Sequence, residues 1–448
     1  MQRLLVCYEM TQFFYTICTK MLLYSVDRNE PDLDCKRAIF NHTWAWKSKP
    51  RRFKWLTLII TAKSKKKQLT ASEVHTLVQQ VMQEQWALNM AESDYEAQDI
   101  WDVVIAAAVE QLSLQGACDL LVNAPSGNTV RGVLKDMLSA AGGLHALERQ
   151  MNQVLRRRWP KKLLRTRLPA AIDITEIPYH GQYDEDSEEI VRRGRAKSGT
   201  THFFCFATLY VIKKHKRYTV AITLMRRADK AQDVLERLLA QGQAVGLRVK
   251  RLYVDRGFDN NGIVAFLKQQ AFATIMPLVV RGKHGGSRAL LVGRKSYTTT
   301  YTRKSTIYDA ETLPLHIVCR YSKGRYKRHG VYYFAYIVIG QVRISPPQVA
   351  EEYRRRFGIE TSYRLMNQVR ARTTSRSAAL RLFLMIVAFL LLNLWSYVKW
   401  QHLFVPHQRG PRQVLHHLLP LYRWRAWLWE MVKQRLGLSL VISIPGGL

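Results

Sequence analysis

The sequence predicts an α/β fold, a mixed sheet flanked by helices, with a helical domain before it and a β-rich insertion ahead of its last long helices. Three observations point there. Hydrophobic periodicity switches from helical to alternating near residue 168. Strands and helices then follow in the order β-β-β-α-β-α-β, and a second strand-rich stretch, 281–345, ends at "SPP" before helices resume.

Residues 1–68 read as a basic leader, with "KSKPRRFKW" and "KSKKK" of the kind found in solvated tails and nucleic-acid arms. From Thr70, "TASE" is a capping box, and Val74, Leu77, Val78, Val81 and Met82 recur at i, i+3, i+4, i+7 and i+8, so a helix starts there. Further helices are expected over 97–114, 129–140 and 143–158, the middle one opening after "APSGN" with Asn128 or Thr129 as its cap. The stretch 69–167 closes on the cationic "RRRWPKKLLRTR" and reads as a DNA-binding domain of helix-turn-helix kind. A plain helical subdomain beside a basic linker is the alternative.

The main domain is expected over 168–400. "PAAIDIT" reads as a buried strand, and "THFFCFATLYVI" and "RYTVAITLM" as two more joined by a charged turn. A helix over 230–243, the strand "LRVKRLYVD", a helix over 259–270 and the strand "FATIMPL" follow. Consecutive strands pair antiparallel and helix-linked ones run parallel, which gives the mixed sheet. "SYTTTYT", "LPLHIVCRY" and "VYYFAYIVIG" form the antiparallel insertion, and 401–448 is a helical, basic, Trp-rich tail.

With 69 Lys+Arg against 34 Asp+Glu the chain carries a formal +35, which calls for a polyanionic partner, nucleic acid before an acidic membrane surface. The six cysteines form no C-x-x-C pair, so neither zinc nor a disulfide framework is indicated and a reducing cytoplasm fits. "AALRLFLMIVAFLLLNLWSYV" is apolar without a break only from Leu382 to Leu392, short of the roughly 18 to 20 residues a span needs. It reads as a buried helix rather than a membrane one.

Against so much positive charge, isolated acids in apolar or basic settings are informative, because a buried carboxylate is costly without a partner. Asp173 alternates with apolar residues in "AIDIT", Asp255 ends a strand in "LYVDRGF", and Glu360 is the lone acid of "YRRRFGIETSYRLMNQVR". Each has an ordinary explanation: a turn cap for Asp255, an arginine pair for Asp173, an i,i+4 bridge from Glu360 to Arg356 or Arg364. Together they place an acid in the middle of the first strand beside one at the C-terminal end of the fourth, with a helical third across the crevice, three oxygen donors suited to Mg²⁺ or Mn²⁺. Tyr353, Arg356, Glu360, Arg364 and Asn367 share one helical face, so arginines and a hydroxyl can hold phosphate next to the acid. Glu176 is a weaker alternative ligand, "YDEDSEE" at 183–189 reads as a solvated loop, and Glu351 and Glu352 read as a favourable helix start.

These residues resemble the DDE transposases of prokaryotic insertion sequences, which have an RNase H-like core and a Y-x2-R-x3-E-x6-K signature. Tyr353, Arg356 and Glu360 match the signature, and Asn367 stands in the Lys position. "DITEIPYHG" and "YVDRGF" are similar to the regions of the two aspartates, and the resemblance covers roughly 168–400. It implies an enzyme that cuts and joins double-stranded DNA. Asp173, Asp255 and Glu360 would hold two Mg²⁺ (or Mn²⁺) ions, one activating water and later a DNA 3′-hydroxyl, the other stabilising the leaving oxygen. Tyr353 and Arg356 would grip phosphate near the element end, Arg364 or Arg370 would substitute for the missing Lys, and Tyr297, Tyr301 and Tyr321 are candidates for base stacking. A cytoplasmic, nucleoid-associated homodimer acting on transposon ends and target, with no membrane, is the implied state. Two other readings use the same residues, an RNase H-like nuclease without strand transfer and an inactive DNA-binding derivative; a third, a basic membrane-associated protein, rests only on residues 378–398.

Overall fold

The computed structural model describes residues 68–91, 93–182, 189–213, 216–321, 330–405 and 413–441. The leader 1–68 lies outside the described residues but for Gln68, as does "YDEDSEE" but for Glu189. Residues 69–448 form one compact unit.

Helices come first. α1 (Ala71–Gln85) is capped by Thr70, whose hydroxyl accepts from the Glu73 amide while the Glu73 carboxylate accepts from the Thr70 amide. Where one helix was expected over 97–114 there are two, α2 (Ala97–Val109) and α3 (Leu114–Leu120). Gln111 breaks the run at φ 57°, and Ser113 restarts it by accepting from the Gly116 amide. α4 (Gly127–Ser139) is capped by Ser126 instead of Asn128 or Thr129. α5 (Leu144–Leu155) and the short α6 (Lys161–Leu164) lead into the sheet.

The nine-stranded sheet contains β1 (Arg167–Pro178), β2 (Arg192–Lys197), β3 (Thr200–Lys213), β4 (Lys216–Met225), β5 (Arg248–Val254), β6 (Ala273–Pro277), β7 (Tyr297–Arg303), β8 (Glu311–Tyr321) and β9 (Val331–Ile339). β1 pairs antiparallel with β3 and parallel with β5, β3 pairs antiparallel with β4, and β5 pairs parallel with β6. That is the arrangement expected of an RNase H-like core. β2 had no expectation: "RRGRAK" is a largely exposed edge strand, so no apolar alternation marks it. The insertion is antiparallel as expected, and β9 also pairs with β6, so its strands extend the core sheet.

Strand alternation decides what covers each face. Phe203, Cys205, Ala207 and Leu209 of β3 join a core with α7 (Ala231–Ala244) and α8 (Asn261–Lys268), while Phe204, Phe206, Tyr210 and Ile212 join one with the N-terminal helices and α11 (Ala378–His402). Before α11 come α9 (Pro346–Arg354) and α10 (Phe357–Met366), and after it α12 (Leu421–Leu436). α11 is long and apolar enough to cross a membrane by composition, yet 83% of its most apolar window is buried within the protein. The free edge of β4 is closed by side-chain amides: Asn393 of α11 pairs with both backbone groups of Thr219, and Asn152 of α5 with both of Ile222.

Candidate active site

In the parallel pair β1/β5, Ile172 lies opposite Val254. The next residue on each side is an aspartate, Asp173 within β1 and Asp255 just past β5, where it opens the turn Arg256–Phe258. Neighbouring central strands thus deliver two carboxylates side by side where β5 ends, and crevices in α/β folds open at the carboxyl ends of strands.

The helix pair α9/α10 brings the third acid and is bolted to both strands. Glu352 accepts from Arg251 Nη1 at 2.7 Å and Tyr253 Oη at 2.8 Å, and the Tyr353 hydroxyl donates to the Val254 carbonyl at 3.2 Å. The buried Tyr363 hydroxyl donates to the Asp173 carbonyl at 2.8 Å, with Thr208 Oγ1 2.7 Å away. Asp173 and Thr208 are cross-strand partners in β1/β3, so one hydroxyl spans that pair. Tyr363 was not singled out from sequence, and Glu351 and Glu352, read there as a favourable helix start, fall near the C-terminal end of α9, where Glu352 serves as an acceptor for β5 side chains. Tyr363 stands three residues after Glu360, an i,i+3 spacing on the same helical face that marks it.

Arg356 occupies the middle of the cluster. Its Nη1 lies 3.1 Å from Asp173 Oδ2, and its Nη2 lies 2.9 Å from Glu360 Oε1 and 3.4 Å from Asp255 Oδ1. The guanidinium side chain is 8% exposed, against 16% for Asp173 and 44% for the other two acids. Of the two i,i+4 bridges open to Glu360, the one to Arg356 is formed. Burial pushes the Asp173 carboxyl up to about 6, against the pull of Arg356 and the Ile174 amide, while Asp255 and Glu360 add like charge. Burial alone would lower the Arg356 pKa, but Tyr353 and the three acids more than offset it and leave it raised.

The rest of the expected stripe lies elsewhere. The helix is interrupted at Arg355 and Arg356 between α9 and α10, Arg364 Nη2 reaches Thr361 Oγ1 at 3.4 Å, and exposed Asn367 accepts from Arg370 Nε at 3.4 Å. The Tyr353 ring is buried against Tyr253 and Tyr336, so its hydroxyl holds backbone. Strand alternation sends Glu176 to the face opposite Asp173. Among the stacking candidates, Tyr321 keeps an exposed ring with its hydroxyl on the Arg294 carbonyl, while Tyr297 and Tyr301 pack against the core.

Among the described residues, no three His, Cys, Asp or Glu side chains stand close enough to hold a metal ion together. The donor chemistry still fits a hard divalent cation: three carboxylates converge on one positive charge, and the buried Arg356 Nε finds no acceptor there. Two aspartates on neighbouring central strands and a helical glutamate make up an acid triad on a mixed α/β sheet. The model of the transposase DDE domain matches residues 165–394, and the chain belongs to that family. No curated protein matches. Among solved structures, the piggyBac transposase synaptic complex with hairpin DNA, determined by cryo-EM, aligns at 11% identity and a TM-score of 0.49, covering 84% of each chain.

Proposed function

We propose that this transposase family member is an active enzyme of an insertion sequence, cutting DNA at the element ends and joining the freed 3′-hydroxyl to target DNA by in-line phosphoryl displacement. The convergence of Asp173, Asp255 and Glu360 on one cation carries the reading. Two Mg²⁺ or Mn²⁺ ions bound by these acids would supply an activated attacking oxygen and stabilise the leaving one. Arg356 offsets part of the charge of the three acids, and with the ions bound its terminal N–H donors would be available to phosphate oxygens of the scissile strand. Tyr353 and Tyr363 hold the backbone at Val254 and Asp173, which keeps both aspartates in place.

The formal +35 and the cationic run "RRRWPKKLLRTR" that closes 69–167 support double-stranded DNA as the partner, with that segment as the end-binding domain and 401–448 as a basic tail. Two element ends must be joined in one event, which supports a homodimer. The test is to incubate the full chain with a duplex ending in the element's terminal repeat and Mg²⁺, and to resolve products on a denaturing gel. Nicked and joined strands are expected, and Asp255→Ala should lose roughly a thousandfold or more. Undiminished cutting by that variant would overturn the assignment, and precut ends that are never joined would leave a nuclease.

A further inference from the structure

A second cation cluster lies on the other side of α10. By helical periodicity Arg356, Glu360 and Tyr363 share one face, while Thr361, Ser362 and Leu365 share the opposite one. The latter three line a cavity of about 380 Å³ closed by β3, β4, α11 and the turn His416–Leu418. Lys399 reaches into it from α11 and is only 7% exposed. Its Nζ sits 3.0 Å from the centroid of the Trp395 ring, and no carboxylate or other hydrogen-bond acceptor reaches it among the described residues. A buried ammonium without an acceptor is costly, and the ring face replaces only part of what water gave it.

The groups around Lys399 make this a one-signed site. Arg217 of β4 lines the same cavity, with its guanidinium against Gly358 at the start of α10, and has no ion pair among the described residues. No lining residue is an acid. Of the neutral groups, the Asn393 amide is spent on β4, Tyr210 is bonded to Ser362 and the Thr361 hydroxyl donates to the Phe357 carbonyl, whereas Ser396 lines the space with no hydrogen-bond partner among the described residues. Two cations and the Ser396 hydroxyl around a half-open cavity lack one component, an oxyanion.

We propose that this cavity is a second oxyanion site, which takes a phosphate group between Lys399 and Arg217 and is separate from the carboxylate cluster. The chemistry is that of a phosphate, whether free in solution or part of a DNA backbone. Binding pairs the buried ammonium, so occupancy requires Lys399 in its charged form. Burial, helped by Arg217, presses the Lys399 pKa down to about 7 in the absence of an anion. The other groups facing the cavity are Arg217, Tyr210 and His416.

The experiment titrates the full chain, without Mg²⁺, with inorganic phosphate, with sulfate and with a short DNA duplex, following heat or tryptophan fluorescence. Lys399→Met and Arg217→Gln should each weaken binding of the occupying probe roughly tenfold or more. Loss seen with phosphate and sulfate identifies a free oxyanion as ligand, and loss seen only with the duplex identifies a backbone phosphate. Sulfate keeps its charge between pH 6 and 8, so in the first case its affinity should fall about tenfold over that range as Lys399 deprotonates. His416→Gln should keep that dependence and Lys399→Met should abolish it; the reverse would assign the titration to the histidine and overturn the proposal. So would unchanged binding of all three probes by both variants. Lys399→Met should melt no lower than the parent chain in anion-free buffer, and Arg217→Gln, at an exposed position, carries the test if it does not fold.

Discussion

Arg356 and Lys399 are both buried cations packed near α10, and their surroundings are opposite. Three carboxylates surround the first, while the second has an aromatic face and another cation. In a chain with 34 acids against 69 bases, acids are scarce, and three of them meet around Arg356. The difference separates two kinds of ligand. The acid cluster has too much negative charge for one guanidinium and suits a divalent cation, while the cavity has positive charge without a counterion and suits an anion.

The largest effect that sharpens the comparison is expected from Arg356→Gln. It leaves three carboxylates facing each other, and with two of them 44% exposed the cost is about 2 to 3 kcal/mol, below the range for fully buried pairs. Melting with and without Mg²⁺ measures it: the ion should raise the melting temperature of the variant more than that of the parent. An equal rise in both would mean that the acids do not form a cation site.

Next comes the pH response of the other cation. A lysine whose folded pKa is depressed contributes stability that is present above its unfolded value and lost as pH falls through the folded one. Between pH 7 and 9 the anion-free chain should therefore gain about 2 kcal/mol from Lys399 alone. Chemical denaturation of parent and Lys399→Met at both pH values isolates that gain as a difference, and parallel curves would show that Lys399 titrates normally.

Tyr363→Phe removes the hydroxyl between Asp173 and Thr208 and should cost about 1 to 2 kcal/mol. As a positioning residue it should lower the cleavage rate constant at saturating DNA while leaving DNA affinity unchanged. A loss of affinity instead would place the tyrosine in DNA binding. The smallest effect belongs to Asn367→Ala, exposed and away from the acids, whose stability should stay within about 0.5 kcal/mol of the parent.

Much of the architecture was legible before any coordinates. The β-β-β-α-β-α-β order and the antiparallel insertion follow from apolar periodicity, which reports which side of an element meets protein, and the buried nature of α11 from an unbroken apolar run too short for a span. β2 and the break at Gln111 were not legible, because an exposed basic edge and a single left-handed residue leave no periodic trace. In the site, Asp173, Asp255 and Glu360 stood out as acids in the wrong company. Arg356 stood out as well, but as a phosphate ligand rather than as the counterion of all three.

The sequence by itself determined which residues could do the chemistry: spacing along strand and helix is local and is set by backbone geometry. It also placed Asn367 where the resemblance expects a lysine, although not that this residue lies outside the cluster. Only the tertiary structure decided that Arg356 lies among the acids, that Tyr353 and Tyr363 clamp strand backbone, and that Lys399 faces Arg217 without an acid between them. Those facts depend on contacts between residues far apart in the chain. Charge compensation, unlike periodicity, is a property of the folded neighbourhood.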